Sequence, residues 1–385
     1  MCFATGARRN CHGTACRRSP PAAACRASNR SGELRPDAGG ALLVALPIAS
    51  AQSIFDPASP ATESILNLAV LVFAVIGLIF VVVEGVLFYC VWRFRDPHPA
   101  PPDNPSAAAA GPELVEPPQA YGSRAIEVAW TAAPTLIVLF LTLSITRTLW
   151  EVEAAVPAAA PDDNALYVTV TGRQWWWEYT YETYNGRKLG FITANELHIR
   201  LSDADQPRPT YLTLESADVC HSFWVPRLGG KMDLIPGRTN ELLLETTEAG
   251  LFLGQCAEYC GAQHAHMLIR VIVDTPQEFE SWLENQQRPA VDDPDVRTGR
   301  DAFLSESCVS CHRVRGTPAK GSYAPDLTHL MSRETLASGM IANDPDNLRR
   351  WVRDPQSIKP DCLMPAFGLT DQQQEQIVRY LETLR

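Results

Sequence analysis

The chain has 385 residues and a formal net charge of -11 at pH 7, from 33 Lys+Arg against 44 Asp+Glu. Its length exceeds that of one ordinary domain, and its acidic balance argues against nucleic acid as a partner. Its 11 cysteines are spread along the chain, which excludes a small scaffold held together by disulfides.

Residues 1–51 are similar to a secretory leader. They contain seven Arg and then a short apolar stretch from Ala41 that ends in small residues, so cleavage is expected before Gln52. Because the Arg-rich part is unusually long for such a leader, we expect that the true start codon lies downstream of Met1.

Two long apolar segments predict a pair of membrane-spanning helices. Residues 64–92 and 126–150 are each long enough to cross a hydrocarbon core of about 30 Å. Arg93 and Arg124 flank the Pro- and Ala-rich linker 93–125, and the positive-inside tendency places this linker in the cytoplasm. The rest of the chain is therefore expected on the outer side of the membrane.

Two acidic residues, Glu84 and Glu127, lie within or at the edge of these segments. An ionisable group is costly in a membrane and is a functional candidate by default. Glu127 is at the end of its helix and could equally reach water by snorkelling, and Glu84 is assigned no role.

Alternating and β-branched stretches predict a small all-β domain over residues 151–275. Gly, Pro, Asp and Asn separate these stretches, which favours a small antiparallel β-barrel or sandwich. The predicted strands are residues 166–172, 196–201, 210–216, 240–246 and 267–273. Residues 151–297 hold 23 acidic against 11 basic residues, which suits either the steering of a basic partner or an ordinary solvated surface.

Soft and imidazole ligands are concentrated near the end of this domain. Cys256, Cys260, His264 and Met267 follow one another closely, and His221 precedes a second predicted loop. Thiolates and thioethers with imidazoles select copper over hard cations. A disulfide between the two cysteines is the alternative, but it would leave the histidine and methionine at these spacings unexplained.

The C-terminal segment carries a haem-attachment signature. Cys308 and Cys311 are followed directly by His312, the C-x-x-C-H pattern that binds haem through two thioether bonds and one imidazole. The segment around Met364 resembles the methionine loop of small class I cytochromes c, so Met364 is the expected second iron ligand, with Met331 and Met340 as weaker competitors. A chain with two such centres is expected to transfer electrons.

The stretch from Ser64 to Val273 resembles subunit II of haem-copper cytochrome c oxidases. The matching motifs are E-V-A-W-T-A-A-P from Glu127, G-R-Q-W-W-W-E-Y from Gly172, D-V-C-H-S-F-W from Asp218, K-M-D-L-I-P-G-R from Lys231 and C-A-E-Y-C-G-A-Q-H-A-H-M from Cys256. The resemblance implies a dinuclear copper centre (CuA) bridged by two thiolates. Its implied ligands are His221, Cys256, Glu258 through its carbonyl, Cys260, His264 and Met267.

Three further roles follow from the same resemblance. The side chain of Glu258 would reach a magnesium ion shared with subunit I. Trp175 would be the entry point for electrons, although the run Trp175–Trp177 could equally be ordinary core and rim of the β-domain. Glu127 would lie at the mouth of a proton path into subunit I.

The resemblance also implies the reaction and the partners. The chain would pass electrons from covalent haem c to CuA and on to subunit I, where oxygen is reduced to water with proton translocation. Its partners would be subunit I and the other oxidase subunits, the membrane, and cytochrome c or a quinol-cytochrome c reductase as donor. A membrane-anchored electron-transfer module for a nitrogen-oxide reductase is the alternative, and a copper-delivery protein is disfavoured by the haem signature.

We therefore expect a multidomain protein of the bacterial inner membrane with its redox domains on the periplasmic side. The predicted parts are a leader (1–51), a transmembrane two-helix hairpin (64–150), an all-β cupredoxin domain (151–275), a closing helix and linker (276–297) and an all-α cytochrome c domain (298–385).

Overall fold

The computed structural model describes residues 52–95, 121–153, 164–203, 205 and 207–385. The predicted leader and most of the predicted cytoplasmic linker lie outside these described residues.

Two long helices, α1 (Pro60–Arg93) and α2 (Arg124–Glu153), form the predicted hairpin. Both are long and apolar enough to cross a membrane. Helix α1 starts one turn before the predicted apolar segment, because Ser59 caps it and exchanges side-chain hydrogen bonds with Thr62. The large apolar side chains of both helices are mostly exposed, as expected of surfaces that lipid or other subunits cover.

The β-domain consists of two five-stranded sheets. The strands are β1 (Leu166–Arg173), β2 (Trp176–Tyr184), β3 (Arg187–Ala194), β4 (Glu196–Arg200), β5 (Thr210–Ser216), β6 (His221–Trp224), β7 (Met232–Leu234), β8 (Asn240–Leu244), β9 (Gly250–Cys256) and β10 (Leu268–Asp274). Their orders are β3-β2-β1-β5-β8 and β4-β10-β9-β6-β7.

The sheets are mixed, which differs from the antiparallel arrangement that the sequence suggested. β1 pairs with β5, and β4 with β10, in parallel. Each pair is joined through other strands, so neither needs the tight turn that would force an antiparallel register. The all-β architecture itself is confirmed.

Alternation along the strands builds the core between the two sheets. In β1, every second residue from Leu166 is buried while the residues between them are half-buried, the period of two that a strand with one core-facing side requires. Tyr179 and Tyr181 add fully buried aromatic rings from β2, and helix α3 (Pro276–Gln287) packs Phe279 against the same core.

The C-terminal domain is built from short helices around a second core. These elements are α4 (Arg297–Ser305), α5 (Cys308–Cys311), α6 (Pro345–Arg353) and α7 (Asp371–Leu381), with the short strands β11 (Thr335–Leu336) and β12 (Ile341–Ala342). Helices α4 and α7 cross closely at Gly299, where a Cβ atom would lie 2.0 Å from the carbonyl oxygen of Gln376. Only glycine allows this approach.

The helical domain packs directly on the β-domain. The carboxylate of Glu196, the first residue of β4, is 2 % exposed and accepts hydrogen bonds from the backbone N–H groups of Glu334 and Thr335, both at 2.9 Å. Arg270 in β10 lies within 3.4 Å of the same carboxylate. These contacts bring the haem signature and the predicted copper ligands to the same side of the β-domain.

Candidate metal centre and adjoining cavity

The predicted copper ligands are carried by the ends of adjacent strands. His221 begins β6 and Cys256 ends β9, and these two strands pair so that Phe223 lies opposite Cys256. The chain then makes a short loop through Cys260 and returns at Met267 to begin β10. Strand pairing therefore fixes both ends of the loop that carries the remaining ligands.

The structure brings all six predicted ligands together. The two thiol sulfurs, Cys256 Sγ and Cys260 Sγ, are 3.8 Å apart. Around them lie His221 Nδ1 at 3.9 Å from Cys256 Sγ, the Glu258 carbonyl oxygen at 3.2 Å from Cys256 Sγ, His264 Nδ1 at 3.5 Å from Cys260 Sγ and Met267 Sδ at 3.9 Å from Cys260 Sγ. Each sulfur thus faces one imidazole and one further donor.

The chemistry of this donor set fits copper. The His221, Cys256, Cys260 and Met267 side chains are all buried, so the site excludes most water and offers soft sulfur with imidazole nitrogen. The hydrogen bond between the two thiols lowers the pKa of Cys256 and raises that of Cys260. Two sulfurs that approach closely without bonding are suited to bridging metal ions.

Two residues that the sequence did not single out orient His221. Asp218 Oδ1 lies 2.7 Å from His221 Nε2, which leaves Nδ1 facing Cys256. Gly172 lies against the ring, because a Cβ atom there would come within 2.7 Å of His221 Cδ2. The positions of Asp218 and Gly172 in the quoted motifs were the available signal, but neither spacing alone indicates a contact with His221.

The remaining residues of the loop point elsewhere. The His266 ring bonds Gln263 through Nδ1 at 2.7 Å, in agreement with its omission from the predicted ligand set. Tyr259 is 77 % exposed and packs edge-on against His264. Glu258 is half-buried, and its carbonyl, not its side chain, faces the thiols.

A cavity of about 390 Å³ lies beside this centre. The haem-signature residues Cys308, Cys311 and His312 line it, and so does Met364. Its apolar walls include Phe303, Leu327, Leu330, Leu336, Leu348, Val352, Phe367 and Ile377. The site is concave and largely apolar with few polar groups, as a site for a flat macrocycle requires.

His312 is held so that one ring nitrogen remains available. Its Nδ1–H donates a hydrogen bond to the carbonyl of Pro325 at 2.8 Å. The lone pair of Nε2 is then available to bind a metal such as iron. Burial lowers the pKa of His312, and the neutral imidazole is the form that binds metal.

Met364 is the only methionine among the described residues that lines the cavity. Met331 packs on the outside of the helical core and donates its backbone N–H to the Leu384 carbonyl. The arrangement favours Met364 over Met331 and Met340 as the second iron ligand.

Arg333 is a cavity residue that sequence reasoning missed. Its side chain is buried and lines the cavity, and its Nε has no hydrogen-bond partner among the described residues. A buried guanidinium with an orphaned donor suits a carboxylate, and haem carries two of these as propionates. A single Arg in a sequence gives no signal of such a role.

Trp175 connects the cavity to the metal centre. Trp175 lines the cavity, and its ring Nε1–H donates to the carbonyl of Cys260 at 2.9 Å. Gly261 has φ +115°, and a Cβ atom there would lie 3.0 Å from the Trp175 ring, so glycine allows the ring to lie on the loop. Trp177 is fully buried in the β-domain core. It is therefore a core residue, whereas Trp175 lies between the cavity and the metal-binding loop.

Glu127 lies apart from both sites. It is in the first turn of α2 and lines a shallow groove on that helix with Thr131 and Thr135. Thr131 donates its hydroxyl to the Glu127 carbonyl at 2.9 Å. Glu84 is half-buried on α1.

A soft-metal centre joined by one aromatic ring to a cavity built around a haem-attachment sequence is typical of electron-transfer proteins, and two apolar helices anchor this one in a membrane. Three family models match the chain. They are described as "Cytochrome C oxidase subunit II, transmembrane domain" over residues 47–146, "Cytochrome C oxidase subunit II, periplasmic domain" over 166–274 and "Cytochrome c" over 296–385. The chain belongs to the family of cytochrome c oxidase subunit II and carries a C-terminal cytochrome c domain.

Two curated relatives that match most of the chain support this assignment. Cytochrome c oxidase subunit 2 of Alkalihalophilus pseudofirmus is 33% identical over 86% of this chain and 90% of its own length. The subunit 2 of Bacillus sp. (strain PS3) is 34% identical over 71% of this chain and 78% of its own length. The crystal structure of the periplasmic domain of subunit II of cytochrome oxidase from Bradyrhizobium japonicum is 32% identical, covers 34% of this chain and 96% of that chain, and has a TM-score of 0.29.

Membership of this family establishes the coarse function. The chain is an electron-transfer subunit of an oxidase complex, with a periplasmic-type domain that implies copper and a cytochrome domain that implies haem. The predicted family and the predicted fold class are both confirmed.

Proposed function

We propose that this chain receives electrons on a covalently bound haem c, passes them to a dinuclear copper centre and delivers them to subunit I of an aerobic respiratory oxidase. Oxygen is reduced to water in subunit I, and the reaction is coupled to proton translocation. The observation that carries the proposal is the contact of Trp175 with both the cavity and the Cys260 carbonyl.

The cavity residues have separate tasks in this proposal. Cys308 and Cys311 would form the thioether bonds to haem, and His312 Nε2 and Met364 would supply its two iron ligands from the protein. The Nδ1–H bond of His312 to Pro325 fixes the ring and increases its basicity. A histidine and methionine pair raises the haem potential, which suits a donor to copper.

The residues of the metal centre would hold the copper ions in nearly the same positions before and after an electron arrives. His221, Cys256, Glu258, Cys260, His264 and Met267 supply the ligands. When bound, the haem and the copper pair supply two one-electron carriers in sequence, the second with its charge shared over two ions. A buried ligand shell fixed by strand pairing changes little between redox states, which favours fast transfer.

Trp175 supplies the connection between the two sites. Trp175 lines the cavity, and its Nε1–H donates to the carbonyl of Cys260, which is itself a proposed ligand. Because the helical domain covers this region, Trp175 accepts electrons from the fused haem and not from a soluble cytochrome. Tethering replaces diffusional encounter with an effective concentration on the order of mM.

Two carboxylates complete the proposal. Glu258 lies in the copper-binding loop, where its side chain can share a magnesium ion with subunit I. Glu127 begins α2, and a carboxylate there can collect protons at the mouth of a path into subunit I. The donor to the haem is cytochrome c or a quinol-cytochrome c reductase.

The helix hairpin sets the location of these sites. We assign the chain to a bacterial inner membrane, as a multi-pass protein with both redox domains on the periplasmic side. Covalent haem attachment agrees with this side, and so does the Arg pattern of the linker.

The test is spectroscopy on the full-length chain in its purified complex. The oxidised protein should show the hyperfine pattern of one unpaired electron shared by two equivalent coppers, together with a low-spin c-type haem. After rapid anaerobic reduction of the haem, its oxidation should match reduction of the copper centre in rate and amplitude. A single-copper spectrum, or haem that stays reduced while copper stays oxidised, would overturn the proposal.

A further inference from the structure

A lysine of the haem-binding domain is buried at the junction of the two redox sites. Lys359 is 3 % exposed and lines the haem cavity. No carboxylate of the described residues lies within ion-pair distance of its ammonium. A buried lysine without an acidic partner is rare and costly.

The ammonium is instead bound by three backbone carbonyls. Lys359 Nζ donates to Trp175 O at 2.8 Å, to His266 O at 2.9 Å and to Ala337 O at 3.2 Å. Three donors meet three acceptors, so the hydrogen-bonding capacity of the group is fully used.

These carbonyls come from three different segments. Trp175 belongs to the aromatic stretch between β1 and β2, His266 to the metal-binding loop and Ala337 to the haem-binding domain. Next to Lys359, the carbonyl of Pro360 accepts a hydrogen bond from Gln263 of the metal-binding loop at 2.6 Å. One side chain therefore holds together the tryptophan, the copper loop and the cavity wall.

The charge of this group also has an electrostatic effect. Burial lowers the pKa of Lys359 to about 7, and the thiols of Cys362 and Cys260 act in the opposite direction. In its protonated form Lys359 places a positive charge in a region of low dielectric, where it stabilises an electron added nearby much more than it would in water.

We propose that Lys359 is a positioning residue for electron transfer, which fixes Trp175 and the metal-binding loop against the haem cavity and raises the reduction potentials on both sides. This inference rests on the proposed function. One electron leaves ferrous haem, which becomes ferric, and the copper pair gains the same electron, so no further reactant is needed. Lys359 binds neither metal and neither gains nor loses an electron.

The test uses the complete oxidase complex with Lys359→Met, which keeps an unbranched side chain of similar length and removes its charge and donors. Lys320→Met is the matched control, because Lys320 is an exposed lysine of the same domain. Haem-to-copper transfer should slow by about tenfold or more in Lys359→Met, since one hydrogen bond to a charged group changes an equilibrium by at least about that factor. Both reduction potentials should fall, and Lys320→Met should match the wild type.

A second variant covers the case in which Lys359→Met fails to assemble. Lys359→Gln keeps two N–H donors and removes the charge and the third donor, so the complex should assemble with lower potentials and an intermediate rate. A wild-type rate and wild-type potentials in whichever of the two variants assembles would overturn the inference. A purely structural role would lower thermal stability without shifting the potentials, and that result would overturn it too.

Failure of the proposed function gives a different result. If the wild-type complex itself transfers no electron from haem to copper, the proposed function is wrong, whatever the variants do. If the wild type transfers electrons and Lys359→Met does so equally fast, only the role of Lys359 is wrong.

Discussion

His221, a proposed copper ligand, is held in place by one carboxylate. Its ring is fully buried, and Asp218 holds Nε2 at 2.7 Å so that Nδ1 faces Cys256. The hydrogen bond to Asp218 and the nearby Cys256 raise the pKa of His221, against the effect of burial. Asp218 also accepts the backbone N–H of Gln174 at 2.6 Å, so it connects the ligand to the segment that carries Trp175.

Asp218→Asn should therefore weaken copper binding without removing a ligand. Loss of a partner that orients a metal-binding histidine typically costs about 10- to 100-fold in affinity, and we expect a loss in this range by competitive copper titration. Asp203→Asn is the control, because Asp203 is an exposed acid of the same domain. Unchanged copper affinity in Asp218→Asn would show that packing alone, including the contact of Gly172, orients the ring.

Cys256→Ser tests whether the two redox sites are assembled independently. A hydroxyl is a poor bridge between copper ions, so the dinuclear spectrum should disappear. Cys256 does not line the haem cavity, and covalent haem and its absorption should be retained. Cys220→Ser, which changes an exposed cysteine, should keep both centres, and loss of haem in Cys256→Ser would show that the two domains fold as one unit.

Individual ligands were predictable because metal chemistry restricts the residue types and spacings. The C-x-x-C-H signature and the run from Cys256 to Met267 carry that restriction in the sequence itself. Asp218, Arg333 and Lys359 do not, since an acid, an arginine or a lysine has many ordinary surface roles. Their functions depend on burial and on partners that are distant in the chain.

At the scale of the elements, strand prediction succeeded for five of the ten strands of the β-domain. β1, β4, β5, β8 and β10 match the predicted stretches. β2 and β3 were not predicted, although the Asn185-Gly186 pair between them is a strong hairpin signal. Both residues have positive φ, at 50° and 70°, as a two-residue hairpin turn of this type requires.

Helix α7 begins at a capping box. Thr370 caps it, with its hydroxyl accepting the Gln373 N–H at 3.2 Å while the Gln373 side chain accepts the Thr370 N–H at 3.1 Å. Thr370→Ala should lower the free energy of unfolding of the haem domain by about 1 kcal/mol, measured by denaturant titration of the haem absorption. Thr370→Ser keeps the hydroxyl and should have nearly wild-type stability. Equal stability of the two variants would exclude a contribution from the capping box.

At the scale of the whole molecule, the docking of the two redox domains is what composition and pattern could not predict. It depends on Glu196, a buried acid in β4. The sequence around Glu196 predicts only a strand. The haem and copper domains are expected to bind their groups independently, because each proposed site takes its ligands from its own domain. The interface nevertheless couples their positions, because Glu196, Gln263 and Lys359 all bond across it.

Glu196 gives the sharpest test of this docking. Its carboxylate accepts two backbone N–H groups and the Thr335 hydroxyl, the latter at 2.6 Å, and it neutralises part of the charge of Arg270. In Glu196→Gln one of the two oxygens becomes an NH₂ group, which cannot accept and which faces N–H donors. Hydrogen bonds to charged groups contribute about 1.5–3 kcal/mol each, so we expect docking to weaken by on the order of 2 kcal/mol.

Hydrogen exchange at the interface measures that change directly. The amides of Glu334 and Thr335 should exchange about tenfold faster or more in Glu196→Gln, since about 1.4 kcal/mol corresponds to a factor of ten. Amides in the interior of β1 should be unaffected because they lie in the sheet core. Glu182→Gln, an exposed acid on β2, should exchange like the wild type. If exchange at residues 334 and 335 does not change in Glu196→Gln, the remaining contacts hold the domains together without this carboxylate, and haem-to-copper transfer should then keep its wild-type rate.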